Sequence, residues 1–534
     1  YNYRALKNEL EREGCSFRTN SDTEVLLHGY RVWGEAVCNR LSGMYAFALW
    51  DEGQQRLLLA RDHVGQKPLY IAKLGEEFVF ASELKAIKVL ARQSLRMRCE
   101  SVIDHLIYDF VPEPYTWYEG VEVVPAGSLA VISMQDGRFV TEMHEYWSYT
   151  PPVETVPVRN EEALAIVEAQ VTKAIESHLV ADVEVGAFLS GGIDSSCVVS
   201  VASGLVKDLK TFSVGFDASG KDELPVARKT SQRFGTHHHE LILTKRDFDD
   251  ASESVLGIFD QPMADSSFVP TERVSSLAAQ DVKVVLSGDG GDEVFGGYDF
   301  GRYLSPWMNT GVGQRLMQWR HPKTVVRELY DLASFSLFGP KRWQARGSFV
   351  DRRFSTAVGQ HIAGERMREC LSNYDPYWVV NRYSRPELDP LRRAQWLYLK
   401  VVLPGKMLPK LDRCSMLHSL EARSPFLAPD LVEAMLDLPT SVRNPSEDWY
   451  KGLLRQWLSN RVSEEVLNGS KQGFGSPARW YPRYSRQRVG EGLKRCIGSG
   501  LVRHGALSSI VRRPKVVWKL RQVERAITSE LFVP

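Results

Sequence analysis

The chain has 534 residues, 43 % of them hydrophobic and 25 % charged, with a formal net charge of +1 at pH 7. Such a length allows two to four domains with substantial cores, and near-neutrality offers no basic surplus for nucleic acid and no acidic surplus for a cationic partner. Small molecules are the expected partners, and no apolar run of about 18 residues suggests a membrane span.

The opening stretch, YNYRALKNELEREG, sets Leu6 and Leu10 four apart among charges, which predicts a helix. From Gly43 to Ile87 short apolar runs alternate with turns (MYAFALW, DEGQQ, RLLLARD, KPLYIAK, EEFVFASELKAI), the pattern of antiparallel strands, and a further pair is expected near Gly127–Ser133 and Phe139–Tyr146. The Pro-rich polar stretch SYTPPVETVPVRNEE marks a linker. The expected division is 1–147 for a first domain, 148–162 for the linker, 163–500 for a second domain and 501–534 for a basic, solvated terminal helix. Beyond the linker the rhythm becomes strand, loop, helix: VEVGAFL and a helix near Ser195, TFSVGF and a helix over Asp222–Phe234, then HHHELIL and VKVVLSG. Strands alternating with helices predict a doubly wound parallel sheet. Residues 302–402 read as helical packing. The seven cysteines (Cys15, Cys38, Cys99, Cys197, Cys370, Cys414, Cys496) lie far apart and predict neither a zinc site nor a disulfide framework, which fits a reducing cytoplasm. His237 to His239 would alternate faces of a strand and so not converge on one ion.

In VGAFLSGGIDSSCVV an apolar strand ends at Leu189, and Ser190, Gly191 and Gly192 lead into a helix beginning near Asp194–Ser196. Free N–H groups and the helix dipole favour an anion in such a turn, glycines let backbone approach it, and Ser190, Ser195 and Ser196 add hydroxyls. No Gly-Lys-Ser/Thr ending follows, so the loop is not that of kinases and GTPases. Asp194 beside a phosphate needs a cation, and Mg²⁺ held by carboxylate and phosphate oxygens supplies one. In VVLSGDGGDEVFGGY a second strand runs into Ser287 and Gly288, then Asp289, Asp292 and Glu293. Acidic residues there stand where doubly wound sheets bind ligands, and Asp292 is the candidate to complete a metal site with Asp194.

These residues resemble the glutamine-dependent asparagine synthetases, over nearly the whole chain. FLSGGIDSS is similar to the pyrophosphate loop of the N-type ATP pyrophosphatases, LSGDGGDEVFGGY to a second synthetase signature, and LHSLEARSPFL, KGLLR and SKQGF to its C-terminal ones. SDTEVLLHGY, LSGMYAFALWD, RDHVGQKPLY and SELKAI resemble the family's glutaminase. The resemblance implies an α+β, Ntn-hydrolase-like glutaminase remnant followed by an α/β doubly wound sheet of the adenine nucleotide alpha hydrolase kind. It implies ATP-dependent amidation of aspartate through β-aspartyl-AMP, with nitrogen from glutamine or ammonia, Mg²⁺ as cofactor, and a homodimer as the usual assembly. The family's glutaminase starts with a nucleophilic cysteine upstream of the Tyr-Asn matched by Tyr1 and Asn2, so the chain is expected to be an N-terminally truncated fragment without glutaminase activity. Asp22 would hold the glutamine amino group. Leu189, Val214 and the Ser287-Gly288 backbone would line the nucleotide site. Asp289, where the family often carries Glu, would assist adenylate formation, and Lys471 would neutralise phosphate charge. Lys451, Leu454 and Arg455 read as packing residues. Glu421, Arg423, Asp412 and Arg413 read equally as an ion-pair network or as substrate contacts. Gln261 departs from a family Glu and keeps open a sibling enzyme that adenylates another carboxylate in envelope polysaccharide or peptide biosynthesis. tRNA thiolation or GMP synthesis, and a nucleotide-binding module without chemistry, are the more distant alternatives.

Overall fold

Two kinds of sheet, separated along the sequence, carry the architecture. The computed structural model describes residues 1–91, 95–217, 223–265, 267–298, 364–445, 450–469, 474, 477, 480, 496, 501–502 and 514–531. Lys471 and most of the stretch expected to pack as helices, 299–363, lie outside the described residues.

In the first part, β1 (Ala46–Asp51), β2 (Arg56–Arg61), β6 (Ser128–Gln135) and β7 (Arg138–Glu145) form a four-stranded antiparallel sheet in the order β1-β2-β6-β7. β3 (Tyr70–Leu74), β4 (Glu77–Ala81) and β5 (Val121–Val123) form a second one in the order β4-β3-β5. Leu58 and Leu59 face opposite sides of β2 and join different apolar clusters, because successive strand residues point to opposite faces. Arg61, almost fully buried, is paid for by Glu113 (2.9 Å) and the carbonyls of Gly65, Lys67 and Val124. Every residue of the helix Cys99–Tyr108 except Glu100 is buried, and its apolar members share one cluster with Phe212, Phe268 and Trp518 from the second part.

The second part holds five parallel strands in the order β10-β9-β8-β11-β12. They are β8 (Val185–Phe188), β9 (Lys210–Phe216), β10 (His237–Leu243), β11 (Val284–Leu286) and β12 (Glu421–Arg423). Val284 and Leu286 pack into one cluster and Val285 into another, so the sheet is buried on both faces, as parallel sheets require. The chain winds outward from β8 to β10 and returns to the other side of β8 at β11. The two directions part between β8 and β11, the place where such sheets bind ligands.

Three expectations change. Cys99 and Cys370, 271 residues apart, form a disulfide with Cα atoms 6.6 Å apart, a proximity created by the tertiary fold rather than by spacing. The terminal helix Pro514–Leu531 is docked, not solvated. Trp518, Leu520, Val523 and Ala526 are buried, and Lys519 reaches inward to Asp109 (2.6 Å) and the Leu106 carbonyl (2.8 Å). β12 is a strand within a stretch read only as a motif.

Candidate active site

A cleft of about 390 Å³ opens at the carboxyl ends of β8, β9 and β11. One wall is the turn Leu189–Gly192 and the start of the helix Ile193–Leu205. Gly191 has φ +75°, a backbone that L side chains rarely adopt, and a Cβ there would stand 3.0 Å from the Glu223 carbonyl. Gly192 occupies the helix cap position and no side chain caps the first turn, so its N–H groups stay available to an anion. The hydroxyls are partly committed to holding the turn: Ser195 Oγ accepts from the Ser190 N–H (3.1 Å), donates to the Gly192 carbonyl (3.2 Å) and lies 3.1 Å from Ser190 Oγ. Ser196 is the exception among the expected loop residues, since it is fully buried and does not line the cleft. One step further around the helix turns its side chain into the protein.

The opposite wall is Ser287, Gly288, Asp289, Gly290 and Asp292. Ser287 Oγ donates to the Asp289 carboxylate and accepts from the Asp289 N–H (3.3 Å), which fixes that side chain on the cleft wall. Gly288 and Gly291 are needed for close approach, because a Cβ would stand 3.0 Å from Asp194 Cβ in the first case and 2.5 Å from Asp194 Oδ1 in the second. The two loops therefore touch, and they set Asp194 and Asp292 on a common point.

That point holds the ammonium of Lys451. It ion-pairs with Asp292 Oδ1 at 2.7 Å and with Asp194 Oδ2, with only 4 % of its side chain exposed. The expectation that Lys451 only packs is thus corrected. Lys451 has φ +54°, a costly conformation for a side-chain-bearing residue, and caps the helix Gly452–Leu458, which aims it into the cleft. Burial works against its charge, but Asp194 and Asp292 outweigh it and hold its pKa above the ordinary lysine range. Arg455 lines the same end, with its Nε donating to the Tyr450 carbonyl (2.7 Å). Four acidic side chains (Asp194, Asp289, Asp292, Glu293) share this end with those two cations. Burial, reinforced by Asp292, pushes the Glu293 carboxyl up to about 7, and Tyr298 donates to it at 2.7 Å. An acidic excess beside an anion-binding turn suits a divalent cation that takes one or two carboxylates and completes its shell with phosphate oxygens. No group of three or more His, Cys, Asp and Glu arranged for a metal occurs among the described residues.

Leu189 and Val214 line the cleft at the ends of β8 and β9. Asp22 stands apart, exposed in the first turn of the helix Asp22–Trp33, where it accepts from the Thr23 N–H at 2.8 Å. The residues of undecided role order the scaffold: Arg423 pairs with Glu421 (2.6 Å) and donates to the His178 and Val180 carbonyls, Arg413 pairs with Glu83 (2.6 Å), and Asp412 with Lys67 (2.8 Å). Gln261 accepts from the Trp117 N–H (3.1 Å) and does not line the cleft. The three histidines of β10 go to separate partners, His238 to Thr211, His239 stacked on Phe212 and His237 beside Asp208.

A glycine-rich turn and an acidic turn facing each other across the switch point of a parallel sheet, behind an antiparallel domain, define a nucleotide-dependent enzyme of the amidotransferase kind. Residues 167–529, more than half of the chain, match the asparagine synthase family, and residues 1–147 match the glutamine amidotransferase domain. The chain belongs to the asparagine synthase family. It is 32 % identical over 491 residues to asparagine synthetase [glutamine-hydrolyzing] 1 of Bacillus subtilis, covering 90 % of this chain and 75 % of that one. It is 33 % identical over 505 residues to the putative asparagine synthetase [glutamine-hydrolyzing] of Mycobacterium tuberculosis, covering 90 % and 74 %. A glutamine phosphoribosylpyrophosphate amidotransferase from B. subtilis, at 18 % identity over 45 % of this chain with a TM-score of 0.20, carries no weight in this assignment. The enzyme is thus a carbon–nitrogen ligase with glutamine as amido donor. Among the described residues no helix is long and apolar enough to cross a membrane.

Proposed function

We propose that the chain activates the side-chain carboxylate of aspartate with ATP and transfers ammonia to it, giving asparagine, AMP and diphosphate. A carboxylate is too stabilised to accept ammonia directly. Attack of its oxygen on the α-phosphorus, with cleavage of the bond to the bridging oxygen, makes β-aspartyl-AMP and releases diphosphate. Ammonia then adds to the acyl carbon, and the C–O bond breaks toward AMP.

In this reading the N–H groups at the start of the helix Ile193–Leu205, with Ser190, Gly191, Gly192 and Ser195, receive the charge gathering on the diphosphate. Lys451 and Arg455 face the same charge, and Lys471, by the family resemblance, would help neutralise it. Leu189, Val214, Ser287 and Gly288 line the adenosine side, and Asp289 is held by Ser287 toward the reacting carboxylate. Asp194 and Asp292 would hold Mg²⁺, which supplies Lewis-acid stabilisation of the phosphate oxygens. Residues 1–147 would serve glutamine, with Asp22 on its amino group, and 163–500 the adenylation, joined through 148–162.

The observation that carries the proposal is the meeting of the two loops across one cleft in a member of this family. Its test is diphosphate release from ATP, Mg²⁺ and ammonium with and without aspartate, with asparagine and AMP measured alongside. One asparagine and one AMP per diphosphate is expected. A folded, ATP-binding chain that shows no aspartate-dependent release refutes the reading and turns the search to another carboxylate.

A further inference from the structure

The lining of the same cleft also carries a buried positive charge with no carboxylate paired to it among the described residues. Residues 398–407 wind as a wide helical turn containing Pro404 and continue into the helix Leu408–Met416, and this element brings Leu403, Met407, Lys410 and Leu411 to the cleft wall. Lys410 is 6 % exposed. Its ammonium donates to Ser267 Oγ at 3.0 Å and lies 3.8 Å from Met407 Sδ. Among the described residues no carboxylate stands within ion-pair distance of it. A lysine held only by a hydroxyl and a weakly accepting thioether in a buried site is unfavourable unless a charged partner arrives.

The neighbouring acids are already committed. Asp265 accepts from the Ser267 N–H (2.9 Å) and hydroxyl (2.7 Å) and faces Lys406 at 3.8 Å. Asp109 takes Lys519 at 2.6 Å and Lys406 at 3.5 Å. Glu272 is engaged by His418 (2.8 Å) and Arg273 (3.4 Å), and Asp412 by Lys67. Around Asp109 and Asp265, three lysines (406, 410 and 519) therefore meet two carboxylates. Although burial alone would raise the Asp265 carboxyl, Lys406 and Lys410 outweigh it and leave its pKa below the ordinary range, so this pair of charges stays ionised and the positive surplus persists.

We propose that the Lys410 ammonium is the receptor for the α-carboxylate of the acyl substrate, with Ser267 orienting it. This rests on the aspartate reading above and makes it specific. The substrate has two carboxylates, and a fixed cation at one end of the cleft assigns the α-carboxylate there and leaves the side-chain carboxylate for Asp289 and the phosphate end. An acid lacking the second carboxylate would leave Lys410 unpaired and be rejected.

The probe is β-alanine, which is aspartate without its α-carboxylate. Diphosphate release with ATP, Mg²⁺ and ammonium is measured for both acids on the wild-type chain and on Lys410→Met and Lys410→Arg. A charge-assisted contact of this kind corresponds to about 10- to 150-fold in kcat/KM. Wild type should prefer aspartate over β-alanine by that factor. Lys410→Met should lose the preference through a higher KM for aspartate while KM for ATP stays within about threefold, and Lys410→Arg should recover part of it. A wild-type enzyme that uses β-alanine as well as aspartate overturns the assignment without any variant. So does a Lys410→Met enzyme with unchanged preference, or one whose KM values for ATP and aspartate rise together. No aspartate-dependent release in wild type overturns the functional reading itself, and with it this assignment.

Discussion

Replacing Lys451 by Met tests the junction on which the active site is built. At 2.7 Å, one Lys451–Asp292 contact has a gross Coulomb energy of about 6 kcal/mol at an effective dielectric of 20. Desolvation of a side chain that is 4 % exposed cancels much of that. The net cost of removing the cation is larger than the net worth of the pair, because Asp194 and Asp292 are left facing each other. Breaking such a buried pair costs about 3–5 kcal/mol. Lys451→Met should therefore lower the midpoint of thermal unfolding in EDTA. The double variant Lys451→Met with Asp292→Asn should lose less than the two single variants summed, giving a coupling energy of about 2–3 kcal/mol in a double-mutant cycle. Millimolar Mg²⁺ should raise the midpoint of Lys451→Met more than that of wild type, since the variant leaves two uncompensated carboxylates on one point. Additive losses in the cycle, with no differential effect of Mg²⁺, would refute the view that Lys451 balances these acids.

Three further outcomes follow from the geometry. Gly291→Ala would drive a Cβ to 2.5 Å from Asp194 Oδ1, and should abolish aspartate-dependent diphosphate release while circular dichroism stays that of the wild type. Glu293 has a folded-state pKa raised above its unfolded value, so its contribution to stability is full below pH 4.5 and fades as pH rises through about 7. The unfolding midpoint of Glu293→Gln relative to wild type should accordingly increase from pH 5 to pH 8, and parallel pH profiles of the two would contradict this. Lys67 and Asp412, 345 residues apart, pair at 2.8 Å with side chains 20 % and 10 % exposed. Lys67→Met should destabilise by about 3 kcal/mol, with most of that loss absent in an Asp412→Asn background, as read by urea unfolding.

What could be seen in the sequence was whatever binding chemistry keeps contiguous. The Ser190–Ser195 turn and the Ser287–Asp292 turn each hold strand end, glycines and polar groups within a few residues, because backbone N–H groups at a strand–helix junction can only come from adjacent positions. The parallel sheet was visible for the same reason, through apolar runs alternating with helices. β12 was not, since three residues (Glu421–Arg423) with two charges carry no strand pattern, and their pairing with β11 comes from tertiary packing. Lys451 and Lys410 were invisible as site residues because each arrives on a helix distant in sequence, Lys451 lying 257 positions from the Asp194 it meets. A lysine at helical spacing normally marks solvent, and nothing local announces burial. The one signal available was in the acids: two carboxylates assigned to a common point require a cation, and the sequence could offer Mg²⁺ but could not say that a side chain also reaches it. The terminal helix was misread for a related reason, since its basic residues suggested water while Trp518 and Val523 were the better guide.

Two groups of residues in the cleft lining carry opposite surpluses, and on the reading proposed above that contrast orders the chemistry. At the phosphate end Asp194, Asp289, Asp292 and Glu293 outnumber Lys451 and Arg455, so a bare triphosphate entering there meets repulsion that a divalent cation removes. Around Lys410 positive charge exceeds what the local acids neutralise, so on this proposal the α-carboxylate of a dicarboxylate is drawn there and the side-chain carboxylate is left for the nucleotide. A substrate with one carboxylate has no such handle and would be placed by packing alone. On this proposal the positions that decide which acid is adenylated lie on the helix Leu408–Met416 and at Ser267, outside the two facing turns. Two relatives could share every nucleotide-binding residue and still differ in substrate through this one element.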